Sequence, residues 1–453
     1  MNQQIENQEQ NLKQVLGMWD VIIMAVGLII GAGVMSLTGV AIGNTGTGVV
    51  FAYLLSALLM VFSTLPAGQM GAAAPTAGAS YKYVSRLLGA KWGFFFIALY
   101  IPTYVAISMY ALSFGQYFVV LVPSMNPYTV AMIAMTIFYV LNLIGTKTLS
   151  IVQNLMAFFL LLALVLFIAM GLGKVDYNAV FSMENIFPNG AGGFISATAI
   201  LSFAMVGAGY IADLGGEMKK PSRDIPLGII SSTVGVGILY AFIAIVAVGV
   251  FPWKNVANQS LSMVAQAIMP RPVFYFFIIG GALGAIATTL NGTLAYVTKP
   301  LVIACQDGYL PQKLGAVNKK TGIPVFLLTL FYVVAMIPLI LRYSMETISN
   351  FCTAVGSFTF SLPSLSLFFF LKKYPDLYEK SAFKLPRKLI RPISILAVCL
   401  GLFQGLVLMS NFPAPLLLIV FIYFVAAFIT GIILEKRHPP LSGLERVQKS
   451  GDT

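Results

Sequence analysis

Two short glycine motifs decide the fold of this chain. The first long apolar segment contains LIIGAGVM at residues 28–35, and the sixth contains AMVGAGYI at residues 204–211. A glycine inside a helix costs about 1 kcal/mol relative to alanine, so each glycine pair favours a break. The motifs are five segments apart, and an odd number of segments per repeat inverts the second copy relative to the first. The sequence therefore predicts two inverted halves, each with a broken first helix.

Close packing between helices is the competing interpretation of either motif alone, because small residues let membrane helices approach one another. That interpretation does not predict the five-segment symmetry. Nucleotide binding is a poor interpretation, because Ser36 stands where G-x-G-x-x-G requires its third glycine and no strand precedes the motif.

Composition assigns the chain to the membrane. Of 453 residues, 58% are hydrophobic and 9% are charged, and the mean hydropathy is +0.89. A soluble surface normally needs about 25% charged residues, whereas a lipid-facing surface needs none. Twelve apolar segments have about the length that crosses a bilayer: residues 18–41, 47–66, 93–121, 127–145, 150–172, 194–214, 227–251, 273–303, 324–341, 346–371, 391–410 and 414–434.

Charge placement predicts that both termini are cytoplasmic and that the protein lies in the cell membrane. With that orientation, all 27 Lys and Arg lie inside except Lys299, within a segment, and Lys174, Lys254, Arg271 and Arg342, outside. The positive-inside rule disfavours the reverse orientation. The net charge of +12 is then mostly a topology signal, and we expect contact with membrane lipid but no nucleic acid partner.

We predict one membrane domain at residues 15–435, between tails at 1–14 and 436–453. The first repeat covers about 15–175 and the second about 190–371, and two extra helices follow at about 390–435.

Enzymatic and metal chemistry find no support in the residue types. The only histidine, His438, lies in the predicted C-terminal tail, and Cys305, Cys352 and Cys399 lie in or beside apolar segments. No His, Cys and acid cluster could hold a transition metal, and no nucleophile has a histidine partner. We expect neither an enzyme nor a cofactor.

Broken helices supply their own chemistry. The N-terminal end of a half-helix presents N–H groups and a positive dipole to an anion, and the C-terminal end of the other half presents carbonyls to a cation. Two facing breaks can therefore hold a carboxylate and an ammonium without a charged side chain, which would be costly in a membrane. An α-amino acid is the commonest small molecule with both groups.

The chain resembles the amino acid–polyamine–organocation permease superfamily over nearly its whole length. The resemblance rests on GLIIGAGV at 27–34, PTAGASY at 75–81, FAMVG at 203–207, EMKKPSRDIP at 217–226 and QDGYLP at 306–311. It implies an all-α membrane fold of about twelve helices, with a five-plus-five inverted repeat, broken first and sixth helices, and two extra C-terminal helices.

The resemblance also implies a substrate site. Backbone groups at Gly31, Ala32 and Gly33 would bind the carboxylate, and carbonyls near Phe203, Ala204 and Gly207 would bind the amino group. Phe203 stands where relatives place an aromatic side chain that closes over the substrate, and ordinary packing is the alternative for it.

The coupling ion is inferred from a position where this chain differs from the permeases it resembles. Many relatives carry a lysine where this chain has Leu160, which argues against a lysine-based proton mechanism. Thr288 and Thr289 match a hydroxyl pair of sodium-coupled members, with carbonyls from Gly27 and Ile30 as further ligands. Hydrogen bonding of both threonines to their own helix is an equal alternative.

The charge of the substrate is inferred from a second position where this chain differs from relatives of the superfamily. Relatives that exchange cationic substrates often carry a glutamate where this chain has Gly209, and the nearest acid is Asp213. We therefore expect a secondary transporter of a neutral amino acid. A cationic amino acid or polyamine exchanger, with Asp213 as counter-charge, and a non-transporting sensor or partner subunit remain the alternatives, and the oligomeric state stays open.

Overall fold

A computed structural model describes residues 17–76, 78–144, 149–318, 321–437 and 444, and every regular element in this part of the chain is helical. Within it, eight helical stretches are long and apolar enough to cross a membrane, and four shorter apolar helices accompany them. Each of the twelve predicted segments coincides with one of these helices, with a helix pair, or with part of a longer stretch. Most of the predicted tails, 1–14 and 436–453, lie outside the described residues.

The described residues of the first half form eight principal helices. They are α1 (Met18–Ile29), α2 (Ala32–Thr45), α3 (Val49–Ala73), α4 (Ala79–Tyr83), α5 (Ala90–Thr103), α6 (Ala106–Leu121), α7 (Pro127–Ile144) and α8 (Leu149–Gly171). A π-helical turn, Val84–Leu88, joins α4 to α5.

The second half begins with two single-turn helices and continues through twelve more. They are α9 (Tyr177–Val180), α10 (Met183–Ile186), α11 (Gly190–Phe203), α12 (Pro221–Gly249), α13 (Trp253–Val256), α14 (Ser262–Ile268), α15 (Arg271–Phe276), α16 (Gly284–Tyr296), α17 (Lys299–Gln306), α18 (Val325–Ile340), α19 (Met345–Lys373), α20 (Pro375–Lys380), α21 (Arg387–Met409) and α22 (Ala414–Arg437). A 3-10 segment, Val206–Glu217, follows α11, and a π-helical segment, Phe277–Leu283, joins α15 to α16.

Packing places the broken helices at the centre. α12 lies along α3 and α1, and α11 lies between α2 and α3. α21 packs against α19, and α22 packs on the outside of α5, where Trp92 contacts Phe428 and the Tyr423 hydroxyl donates to the Ala98 carbonyl at 2.6 Å. The last two helices therefore brace the bundle from the side.

Candidate functional site

The first break lies at Ile30 and Gly31. α1 ends at Ile29, Ile30 is extended (φ −79°, ψ 97°), and α2 starts at Ala32. The first N–H groups of a helix have no partner within it, and no backbone acceptor outside the helices is found for Gly31 or Gly33 among the described residues. The break therefore leaves backbone donors at the start of α2.

The second break begins where the motif at residues 204–211 begins. α11 ends at Phe203, four residues before the first glycine, Gly207, and the N–H groups of Ala204 and Met205 donate to Leu201 and Ser202 carbonyls, each at 3.0 Å. The chain tightens into i→i+3 bonding and stays in it through the motif, because the 3-10 segment includes Gly207. The glycines lie within the tightened segment and not at its start.

The two breaks touch one another. A Cβ added at Gly33 would lie 2.9 Å from the Ala204 Cβ, which is closer than carbon atoms pack. A Cβ at Gly31 would clash with Thr289 Oγ1 and lie 3.3 Å from Thr289 Cβ and Cγ2. Glycine at 31 and 33 therefore lets α2 approach the sixth segment on one side and α16 on the other.

Tyrosines hold both halves of the broken first helix. The Tyr240 hydroxyl donates to the Ile29 carbonyl at 3.2 Å, and its ring packs edge-on against Tyr53 with centroids 5.2 Å apart. The Tyr53 hydroxyl lies 2.6 Å from Thr38 Oγ1, which itself donates to the Val34 carbonyl in α2. One tyrosine pair thus contacts the end of α1 and the first turns of α2.

A cavity of about 90 Å³ lies beside the second break. Phe203 and Gly209 contribute one wall, and α3, α19 and α21 contribute the others. Its hydroxyls are largely tied to their own helices, since Thr64 donates to the Met60 carbonyl at 2.7 Å and Ser357 to Thr353 at 2.7 Å. No charged side chain lines this cavity among the described residues, and we call it the inner cavity.

The threonine pair lies next to the first break. Thr288 and Thr289 both donate to the Ala285 carbonyl, at 2.8 and 2.9 Å, which is the own-helix bonding named as the alternative. A donating hydroxyl keeps its oxygen lone pairs, so this bonding leaves a ligand role open. Ile30 and Leu160 are buried and Gly27 is half-buried.

Two predicted site side chains lie outside the described part of the chain. The backbone of Asp213 belongs to the 3-10 segment and that of Ala32 to α2, but neither side chain is described.

Arg86, Asp307 and Tyr81 form a buried charged cluster that the sequence analysis did not predict. Arg86 donates to both carboxylate oxygens of Asp307, at 2.8 and 2.9 Å, and the Tyr81 hydroxyl donates to the same carboxylate at 2.8 Å. The two charged side chains are 10% and 13% exposed. Burial by itself would lower the pKa of Arg86, but the hydrogen bonds and charge of Asp307 raise it above its usual value.

The signal for this cluster was present but incomplete. Tyr81 and Asp307 belong to two of the quoted motifs, PTAGASY and QDGYLP, whereas Arg86 belongs to neither. More than 200 residues separate Asp307 from its partners, as the separations of 226 and 221 show, so no local spacing could reveal the pairing.

Comparisons with known proteins point to one family. The model of the amino acid permease family matches residues 16–434. The branched-chain amino acid permease BcaP of Bacillus subtilis (strain 168) is 28% identical over 92% of this chain and 93% of its own length. The serine/threonine exchanger SteT of the same organism is 26% identical over 87% and 91%.

A plant relative widens the range of substrates for which these relatives are named. Cationic amino acid transporter 1 of Arabidopsis thaliana is 25% identical over 69% of this chain and 55% of its own length. The family match spans nearly all of the chain and both helix breaks, and its members are transporters and not enzymes. This multi-pass membrane protein belongs to the amino acid permease family.

Proposed function

We propose that this permease is a secondary active transporter that moves a neutral amino acid across the cell membrane by alternating access between its two inverted repeats. The observation that carries the proposal is the charge-free inner cavity beside two touching helix breaks. The breaks offer backbone groups to the carboxylate and ammonium, and the cavity offers an uncharged environment to the side chain. Both termini would be cytoplasmic, as the distribution of Lys and Arg favours.

The relatives support a neutral substrate without excluding a cationic one. BcaP is named for branched-chain amino acids and SteT for serine and threonine, whereas the plant relative is named for cationic amino acids. A cationic side chain in the inner cavity would need a counter-charge because burying an unpaired ion is expensive. Asp213 remains the candidate counter-charge for exchange of cationic amino acids or polyamines.

Uptake into protein-free liposomes tests the proposal. After reconstitution, we expect labelled leucine to accumulate faster than labelled arginine, and excess unlabelled leucine to compete with it. Arginine uptake alone would favour the cationic exchanger. Uptake of neither, nor of other amino acids, by a folded protein would favour a sensor or partner subunit.

A charge placed in the inner cavity should change this preference. Among the described residues, a Cβ at Gly209 would meet Thr64 Cγ2 alone, at 3.7 Å, so the first carbon of a side chain has room there. We expect Gly209→Glu to lower leucine uptake by about tenfold, the effect of roughly 1.4 kcal/mol, and to let arginine compete. Gly209→Gln is the matched uncharged control and should not admit arginine. If Gln and Glu act alike, the cavity does not select by charge.

Sodium is our proposed coupling ion, in preference to the proton. The contact between Thr289 and Gly31 places one hydroxyl beside the first break, where the Gly27 and Ile30 carbonyls would complete a set of oxygen ligands. The buried Leu160 offers no proton-carrying group in place of the lysine found in many relatives.

Replacing sodium by choline tests this ion directly. We expect leucine uptake to fall at least about tenfold in choline, and Thr289→Ala to reduce uptake in sodium to the level in choline. Thr430→Ala is the matched control, because Thr430 makes the same own-helix bond, to Ala426 at 2.8 Å, on the peripheral α22. Equal wild-type uptake in the two buffers would contradict sodium coupling.

A further inference from the structure

A second and larger cavity lies at the opposite end of α19 from its lysine-rich C-terminus. Its volume is about 750 Å³, within the usual range for small-molecule sites. It lies between the start of α11, the start of α19 and the junction of α21 with α22. This is the end of the bundle that the distribution of Lys and Arg predicts to face outside, and we call the space the outer cavity.

The outer and inner cavities are lined by the same three elements. α19 and α21 line both cavities. The start of α11 lines the outer cavity, and the end of α11 with the 3-10 segment lines the inner one. The Gln404 Nε2 donates to the Ala199 carbonyl at 2.8 Å and thereby joins α21 to α11 between the two spaces. The two cavities therefore follow one another along α19 and α21, with this hydrogen bond between them.

A polar face of α19 follows the groove from one cavity to the other. Residues 346 and 350 line the outer cavity, residues 353, 357, 361 and 364 line the inner cavity, and all six are polar. At 3.6 residues per turn they fall within an arc of about 80°, and at 1.5 Å per residue they extend for about 27 Å. That length is close to the thickness of a bilayer's hydrocarbon core, about 30 Å.

The outer cavity has the polarity of a site for an ammonium group. Glu346 lines it with a carboxylate that has no ion-pair partner among the described residues, and no Lys or Arg lines it. Asn350 also lines it and is 6% exposed, and its buried Oδ1 accepts no hydrogen bond from any described residue. An unsatisfied buried polar atom is costly, and a ligand N–H would satisfy it once the side chain turns this oxygen toward the cavity.

Apolar side chains line another side of the outer cavity. They are Phe403 and Val407 of α21, Phe412 between the two helices and Leu416 of α22. A ligand with an ammonium at one end and a hydrocarbon side chain at the other matches the two walls together.

From this arrangement we propose that the outer cavity is a second binding site, which takes the ammonium group of an amino acid through Glu346 and Asn350 before the molecule reaches the helix breaks. The inference rests on the proposed transport of amino acids. The polar face of α19 then offers hydrogen-bonding groups along the way to Thr353, which lines the inner cavity. The Gln404 bridge would open for the amino acid to pass.

A cysteine at the rim reports occupancy of the outer cavity. Ser410 is exposed and lines it, and Ser410→Cys is combined with Cys399→Ser, because Cys305 and Cys352 are buried. The rate of alkylation by a water-soluble maleimide is measured on the purified protein. We expect leucine at about ten times its dissociation constant to slow alkylation about tenfold, because only the ligand-free fraction reacts.

Ligand chemistry and variants identify the groups involved. Leucine methyl ester keeps the ammonium and should protect the cysteine, whereas N-acetylleucine lacks it and should not. Glu346→Gln and Asn350→Leu should each abolish protection and raise the leucine concentration for half-maximal uptake.

Asn350→Leu removes an unpaired polar atom, so it should not lower the melting temperature. Glu184→Gln, an exposed acid outside the cavity, is the charge-matched control and should keep full protection.

The outcomes separate the two proposals. Protection that persists in Glu346→Gln and Asn350→Leu, or that is absent from the starting protein while leucine uptake is normal, would overturn the outer site and leave the transport function standing. Absence of uptake of any amino acid by the starting protein would overturn the transport function itself.

Discussion

Asp307→Ala is expected to lower the free energy of unfolding by about 3–5 kcal/mol, because it leaves Arg86 as a buried charge without its partner. The ion pair is bidentate, the two side chains are 10% and 13% exposed, and Tyr81 loses its acceptor as well. The change is measured as a fall in the denaturation midpoint of the purified protein in detergent. Replacing both partners together, as Arg86→Met with Asp307→Leu, should recover most of the loss because no unpaired charge remains.

An exposed acid on the same predicted side of the membrane provides the control. Glu379 pairs with Arg387 and Lys384, and its side chain is 51% exposed. The hydrogen bond from Arg387 is the main reason why the pKa of the Glu379 carboxyl is lowered. Exposed pairs contribute little because solvent screens them, so Glu379→Ala should leave the midpoint unchanged. Equal shifts in Asp307→Ala and Glu379→Ala would show that the buried cluster is not a structural anchor.

Gly31→Ala is expected to lower leucine uptake by about tenfold to a hundredfold, because the added Cβ clashes with Thr289. Overpacking strain of about 1–3 kcal/mol is relieved by moving α2 away from α16, which also displaces the N–H groups at the break. Initial uptake rates at equal amounts of reconstituted protein measure the effect.

A second glycine and a second-site change test this steric explanation. Gly235→Ala adds the same methyl group where no atom lies within 4 Å, and it should keep full uptake. Gly31→Ala combined with Thr289→Ala should recover the melting temperature lost in Gly31→Ala alone, because the clashing oxygen is gone. No recovery in the double variant would mean that the packing of α2 on α16 does not set the geometry of the break.

Sequence patterns predicted the helical class and the interrupted segments well, because apolar length and paired glycines act locally. The second break lies beside the motif at residues 204–211, but the glycines do not start it. α11 ends at Phe203 because Ala204 and Met205 form i→i+3 bonds before Gly207 is reached. The third segment, residues 93–121, is interrupted at Tyr104 and Val105, just after Pro102, since proline disrupts a helix interior.

The site was only partly accessible from the sequence. The contacts of Gly31 with Thr289 and of Gly33 with Ala204 join distant segments, and only the resemblance to permeases suggested them. The polar face of α19 was readable in principle, since residues 346, 350 and 353 repeat at helical spacing, but Ser and Thr in membrane helices usually bond to their own backbone. The pairing of Arg86 with Asp307 depends wholly on the tertiary fold.

The tyrosine pair at the first break also limits how that helix can move. α1 and α2 are joined at residues 30 and 31, and each is hydrogen-bonded separately to the tyrosine pair. α1 is bonded to Tyr240, and α2 is bonded through Thr38 to Tyr53. Moving either helix away from the pair would break one hydroxyl hydrogen bond, worth about 1 kcal/mol, in addition to that helix's own packing contacts, and the other helix would keep its bond. The pair would therefore let the two halves of the first helix separate from it one at a time.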